Sequence, residues 1–241
     1  MHRFIRTTLA AALAISCAQI ATAADEGGLK GRAEASFAHT SGNTDTRTLA
    51  AQIKGSYEAG ANRYFLRGAA LYGKTDGEET SNRWLADGRY ERGITERFFA
   101  FLEASYLKDK FAGFDSKIQA GPGVGYDLIK TDRQLLKLLV SALYTWDNYT
   151  DGTDDDYATG KAAGDYAWQI TDTLTFKQYA DYLVSLEDAN VYFVNSLTGL
   201  EVKVNANISL GLSYLVAYQN EPPAGAKHAD RTFLSSLVVD F

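Results

Sequence analysis

The chain has 241 residues, with 24 Lys and Arg against 30 Asp and Glu, 46% hydrophobic residues, 21 Gly, 3 Pro and one Cys. That is one domain, or two at most, with too many apolar residues for a disordered chain. A net charge of -6 and no Lys/Arg block leave no footprint for phosphate-backbone binding, so nucleic acid is excluded as a partner.

The first element is an address. Arg3 and Arg6 precede the apolar-leaning stretch Thr7 to Ile20, and Ala21-Thr22-Ala23 supplies small residues for cleavage. Residues 1–23 therefore read as a secretory signal peptide and 24–241 as the mature domain. The stretch is shorter than the roughly 20 residues of a spanning helix. Lipidation at Cys17 is the alternative, against which Ala14 stands where the lipoprotein pattern has Leu. Cleavage removes two Arg, no acids and Cys17, so -6 becomes -8 and no thiol remains for a disulfide or a metal.

After Ala23 the longest apolar segment, Leu135 to Tyr144, is interrupted by Lys137 and Ser141, which excludes a transmembrane helix. Period-two alternation recurs instead. From Leu29 to Phe37 the odd positions are apolar and the even ones are Lys30, Arg32, Glu34 and Ser36. The same split marks Arg47 to Tyr57, Trp84 to Tyr90, Leu136 to Trp146, Ala158 to Trp168, Leu174 to Val184 and Ile208 to Tyr218. Twelve such stretches can be traced. Two are weak: Asp115 to Asp127, where Pro122 removes a ladder donor, and Val191 to Val202, whose facing the pattern does not assign.

Connections alternate in expected length. Ala59 to Asn62, Gly93 to Glu96, Ile129 to Arg133, Ile170 to Asp172 and Asn205 to Asn207 read as tight turns. Thr40 to Thr46, Lys74 to Thr80, Asp109 to Phe114, Asp147 to Asp156, Glu187 to Asn190 and Asn220 to Asp230 read as longer polar loops. Aromatic residues of the apolar face flank both ends: Tyr57, Tyr64, Tyr90, Phe98, Trp168 and Phe176 at the tight turns, and Tyr72, Tyr106, Trp146 and Tyr218 towards the loops. The last stretch carries Phe233, Leu237 and Val239 on one face and ends in Phe241, in the manner of a strand read by the barrel assembly machinery.

The expected fold class is all-β: an antiparallel transmembrane β-barrel of about 12 strands with both termini periplasmic. Outer-membrane lipid and lipopolysaccharide are its expected surroundings. A soluble barrel would bury the apolar face inward and show no aromatic girdles.

Several segments carry a family resemblance. Gly42-Asn43-Thr44-Asp45-Thr46, Tyr72-Gly73-Lys74-Thr75-Asp76-Gly77, Arg89-Tyr90, Asp109-Lys110-Phe111-Ala112-Gly113-Phe114-Asp115 and Gly121-Pro122-Gly123-Val124-Gly125-Tyr126-Asp127-Leu128-Ile129 resemble the DUF481 family, salt-induced outer-membrane proteins of Gram-negative bacteria. The likeness covers essentially the mature chain. It implies an outer-membrane location and transfers no catalytic residue.

Strand parity places Arg32, Lys54, Arg67, Arg83, Arg89, Lys117, Lys137, Lys161 and Lys177 inward, with Glu34, Asp87, Glu103, Asp165 and Asp181. Nine cations against five acids leave four positives without an inward partner, while the six polar loops hold fifteen acids and three bases. A cationic lumen favours small anionic or polar solutes, in a narrow or gated channel. The competing expectation is a closed structural or surface-adhesion barrel, filled by a lattice in which Arg67, Arg83 and Arg89 pair with Asp87 and Glu103. Gly121, Gly123 and Gly125 are followed by no helix start, so they form no nucleotide loop; on an inward strand face they leave a groove for long neighbours.

No cofactor is expected. A lipid hydrolase is the remaining enzymatic reading; it would need His39 with Ser41 and lacks a third orienting group. The run Asp147 to Asp156 has the acid density of a cation loop but not the EF-hand spacing. Asp151, Asp154, Asp155 and Asp156 are its candidate ligands, weighed against a solvated surface run.

Overall fold

The computed structural model describes residues 28–40, 46–222 and 227–241, with side chains described outside 38–40 and 46. The signal-peptide reading with Cys17, the His39 side chain and Ser41 lie outside the described residues. No described helix is long and apolar enough to cross a membrane.

Twelve strands form: β1 (Lys30–Thr40), β2 (Thr46–Ala59), β3 (Asn62–Thr75), β4 (Glu78–Gly93), β5 (Phe98–Asp109), β6 (Phe114–Lys130), β7 (Gln134–Tyr149), β8 (Asp154–Gln169), β9 (Leu174–Ser185), β10 (Tyr192–Lys203), β11 (Ile208–Gln219) and β12 (Ala229–Asp240). Each pairs antiparallel with its chain neighbours, and β1 pairs with β12 to close a barrel. Closure leaves the sheet no free edge pair outside the ring.

Side-chain alternation sends apolar residues outward. Leu66, Leu102, Val140, Leu210 and Leu237 are exposed on the outer surface, while Phe99, Phe101, Leu139 and Leu183 on the opposite parity are buried inside. An apolar outer surface around an interior that carries the charged side chains is the inverse of a soluble barrel. Aromatic rows ring both ends of the outer wall. Tyr57, Tyr64 and Tyr90 lie in sequence across β2, β3 and β4, with ring centroids 6.1 and 5.2 Å apart. At the opposite end Tyr182, Tyr192 and Tyr218 do the same across β9, β10 and β11, at 5.7 and 5.9 Å.

The structure corrects the expected difference between loops. Strands run on past the apolar band, so Lys74 to Thr80 is mostly strand and only Asp76 and Gly77 turn. Their φ values of 51° and 88° are the pair that a two-residue primed hairpin turn demands. Asp147, likewise expected in a loop, lies inside β7. Pro122 also proves compatible with a 17-residue β6: it is exposed on the outer face, and the β6–β7 ladder skips Gly121 and Pro122 between Ala120↔Tyr144 and Gly123↔Ser141.

The start of β1 and the end of β12 sit at the end carrying the β2–β3, β4–β5, β6–β7, β8–β9 and β10–β11 turns, here called the terminal end. Closure there depends on the last residue. Gly31 donates its N–H to the Phe241 carbonyl at 2.6 Å, and Phe241 donates its own to Gly31 at 2.9 Å. The Phe241 ring covers Gly31 so closely that a Cβ at position 31 would enter it. The β1–β12 register holds only five further pairs, Arg32↔Asp240 to Ser36↔Ser236. Deleting Phe241 is expected to remove about 1 kcal/mol for each of the two backbone bonds at this short seam. Refolding yield into lipid vesicles should fall accordingly, and an unchanged yield would place the assembly determinant elsewhere.

Candidate functional site

The barrel interior divides into a packed wall and a hydrated flank. The wall is built on β4–β8 with Arg63 and Phe65 at the start of β3. Phe99 and Phe101 of β5 face Gly125 and Gly123 of β6 in register, and a Cβ on either glycine would collide with the opposing ring. Gly123 and Gly125 thus make room for two aromatic rings, which pack with Leu139 and Ala163 and against Tyr179 of β9, while a Cβ on Gly121 would meet the backbone of Ala142 and Leu143.

At the terminal end of the wall the side chain of Glu91 is fully buried. Its oxygens lie 2.8 Å from Arg63, 3.0 Å from Arg89 and 3.9 Å from Lys137, at ion-pair distance but outside hydrogen-bond alignment. The same cations sit over rings: Arg63 is 4.9 Å from the Phe99 centroid, Arg89 is 5.4 Å from Phe65, and Lys137 is 5.5 Å from Phe99. In mid-wall Glu103 accepts from Ser141 at 2.7 Å and pairs with Lys161 at 3.1 Å.

The far end holds a second knot. A bulge at Asp115 and Ser116 turns both Phe114 and Lys117 of β6 inward. The Lys117 ammonium donates to Asp147 at 3.0 Å and to the Tyr157 hydroxyl at 3.1 Å, and Tyr157 donates to Asp147 at 2.9 Å. The ammonium is 4.7 Å from the Phe114 centroid and 4.1 Å from that of Phe193. Phe193 belongs to β10, four strands away from β6, so this contact bridges the lumen.

The flank, on β1–β3 and β9–β12 with Asp87 of β4, is wetter. Side-chain exposure is 40% at Lys177 and 35% at Arg67, against 6% at Lys117 and 0% at Glu91. Arg32 donates to Glu201 at 2.8 Å and to Asp240 at 2.7 Å, Lys177 meets Glu201 at 2.7 Å, and Arg67 donates to Asp87 at 2.6 Å. A cavity of about 260 Å³ at the terminal mouth is lined by Arg32, Glu201, Asp240 and the β8–β9 turn.

Arg32, Arg67, Arg83, Asp87, Arg89, Glu103, Lys117, Lys137, Lys161 and Lys177 therefore all project into the interior; Arg67 pairs with Asp87 as expected, whereas Arg83 and Arg89 take other partners. Arg83 meets Asp109 at 3.7 Å rather than Asp87 or Glu103. Arg89 takes Glu91 two residues along its own strand, because Lys161 reaches Glu103 from β8. The expected excess of four inward cations is also corrected. Glu91, Asp127, Asp147 and Glu201 face inward, and Arg63 joins the cations. Extending strand parity one residue past Trp84 to Tyr90 would have found Glu91, and Asp127 closes the weak stretch Asp115 to Asp127 on the parity of Lys117.

The acidic run does not converge. Tyr144 of the outer face donates to Asp156, and Asp154 shares that outward parity, whereas Asp155 stands opposite inward-facing Asp147. Asp151 caps its turn by accepting from the Thr153 hydroxyl at 2.6 Å and amide at 3.0 Å, which holds its carboxyl below the usual range. Among the described residues no group of three His, Cys, Asp or Glu side chains could hold a metal. Asp151, Asp154, Asp155 and Asp156 are thereby corrected from candidate ligands to separate strand and turn residues.

The fold is shared with solved outer-membrane proteins. The COG4313 outer membrane channel from Pseudomonas putida F1 superposes with a TM-score of 0.54 at 9% identity, covering 89% of this chain and 96% of that one. The NanC porin gives 0.53 at 10% identity, covering 88% and 98%. At such identities the likeness is one of fold alone. In sequence, the uncharacterized protein YdiY of Escherichia coli strain K12 is 29% identical over 209 residues, 86% of this chain and 81% of its own length. Residues 33–241 match the family described as "Protein of unknown function, DUF481", and the chain belongs to that family.

Proposed function

We propose that the protein is an outer-membrane barrel with periplasmic termini that passes small polar or anionic solutes along its hydrated flank and rests in a narrow, gated state. The observation that carries this reading is the division of the interior: a dry wall of aromatic rings and buried ion pairs on one side, water-exposed charged side chains on the other. A barrel serving only as a scaffold has no use for that asymmetry. Charged groups lining a constriction select solutes by sign and size. The cross-lumen contacts of Phe193 with Lys117 and of Arg32 with Glu201 support a restricted resting conductance. The outer apolar band and the two aromatic rows support the bilayer setting.

Planar-bilayer recording on the purified full chain tests the reading. Small conductance steps are expected. Ala69→Trp or Ser213→Trp, both on inward positions of the flank, should reduce them several-fold. A wild type that never conducts, or one whose conductance ignores both substitutions, overturns the channel.

A further inference from the structure

Within the flank one cation stands apart. Arg32, Lys54 and Arg67 occupy directly opposed positions across β1, β2 and β3. Like charges placed opposite each other on neighbouring strands repel and destabilise the sheet. Two of the three are compensated: Arg32 by Glu201 and Asp240, Arg67 by Asp87. Lys54 has neither an ion pair nor a hydrogen bond to any described residue. The charges acting on it are Arg67, Glu34, Lys177 and Arg32, three of them positive. Glu34, the only acid among them, accepts from Gln52 at 3.4 Å. Lys177 spends its own contact on Glu201 at 2.7 Å.

A half-buried ammonium that has lost part of its hydration without gaining an acceptor is costly unless another anion supplies the contact. We propose that Lys54, with Arg67 and Lys177 beside it, forms an oxyanion-binding site in the lumen that takes the carboxylate or phosphate group of a small solute. The proposal rests on the channel reading for its access route but has its own readout. Arg67 and Lys177, the most exposed of the lumen cations described, can each share a donor with an incoming oxygen while keeping one on its acid. A guanidinium has five N–H donors and an ammonium three, so pairing with Asp87 or Glu201 does not exhaust either. Lys54 then provides a charge that forms no ion pair with any described acid, Glu34 alone among the acids acting on it without contact.

Two measurements on the full chain in detergent test the site. Calorimetric titration with inorganic phosphate, and separately with acetate, should show saturable binding by wild type and by Lys54→Arg, weakened at least tenfold in Lys54→Gln. Thermal unfolding without added oxyanion should give a higher Tm for Lys54→Gln than for wild type, because the substitution relieves repulsion. Phosphate should raise the Tm of wild type and leave that of Lys54→Gln unmoved. Response to only one of the two anions assigns the group bound. Equal binding by wild type and Lys54→Gln, or a lower Tm for Lys54→Gln, overturns the site. Binding without bilayer conductance would retain the site and refute the channel; conductance without binding would do the reverse.

Discussion

Replacing Glu91 by Gln is expected to cost the barrel about 3 to 5 kcal/mol, the range for removing one partner of a buried ionic cluster. The carboxylate is fully enclosed, and three cations converge on it: Arg63, Arg89 and Lys137. Without it, positive groups lie against one another in a space that water barely enters, and the neighbouring Phe65, Phe99 and Phe101 offer only the negative faces of their rings. Asp127, also buried, acts on Lys137 but has Lys130 at 3.8 Å as its ion-pair partner, so it compensates in part. Equilibrium unfolding by urea from lipid vesicles measures the loss. Adding Lys137→Met to Glu91→Gln should return part of it, since the pair of substitutions lowers the uncompensated charge. A loss below about 1 kcal/mol, the scale of an exposed pair, would mean that water reaches the cluster.

How far such features could be read from sequence depends on what each face of a strand must satisfy. The outer face has one requirement, apolarity every second residue, and that regularity is visible from Leu29 to Phe37 and from Leu210 to Tyr218. It disappears in two places for identifiable reasons. On β10 the outward residues include Ser196 and Thr198, which satisfy their polarity with outward Gln178 of β9: Thr198 donates to Gln178 at 2.6 Å, and Gln178 donates to Ser196 at 3.0 Å. Three polar groups that satisfy one another can sit on the outer face, and in doing so they erase the pattern that would have assigned Glu201 and Phe193 inward. Beyond the apolar band both faces are wet, so strand continues without an apolar signature. For that reason Asp147 read as loop although it is the buried partner of Lys117.

Pairing inside the lumen is harder still to read, because inward side chains choose among several strands. Arg89 stands opposite Glu103 in the β4–β5 register, yet Glu103 binds Lys161 from three strands away. Register fixes which residues are near neighbours on the sheet. The curvature of a closed barrel brings distant strands face to face as well, and no local pattern encodes that. The glycines of β6 are an intermediate case: their inward placement follows from parity alone, while the occupants of the space at Gly125 and Gly123, Phe99 and Phe101, follow from a register that parity does not supply.

Breaking the far-end knot should open the lumen as well as weaken it, and the two effects can be separated. Lys117→Met strands the Asp147 carboxylate, which is fully buried, so about 3 to 5 kcal/mol of stability should be lost. Tyr157 continues to donate to Asp147 at 2.9 Å and limits the loss to the lower part of that range. Asp147→Asn strands Lys117 instead, now held only by Tyr157 and the faces of Phe114 and Phe193. The double substitution Lys117→Met, Asp147→Asn removes both charges, leaves no unpaired ion and should recover most of the stability lost in either single variant. Phe193→Ala acts differently, because no ion is left without its partner; only the ring that spans from β10 to the β6 side is withdrawn. If that bridge restricts the far mouth, Phe193→Ala should raise single-channel conductance several-fold at a modest stability cost, and the double variant, which keeps Phe193 and a Met side chain against it, should conduct like wild type. Conductance that rises in the double variant as much as in Phe193→Ala would shift the restriction from the ring to the ion pair. Conductance unchanged in every variant would mean that the passage does not run past β10 at the far end, and that Phe193 closes only the edge of the packed wall.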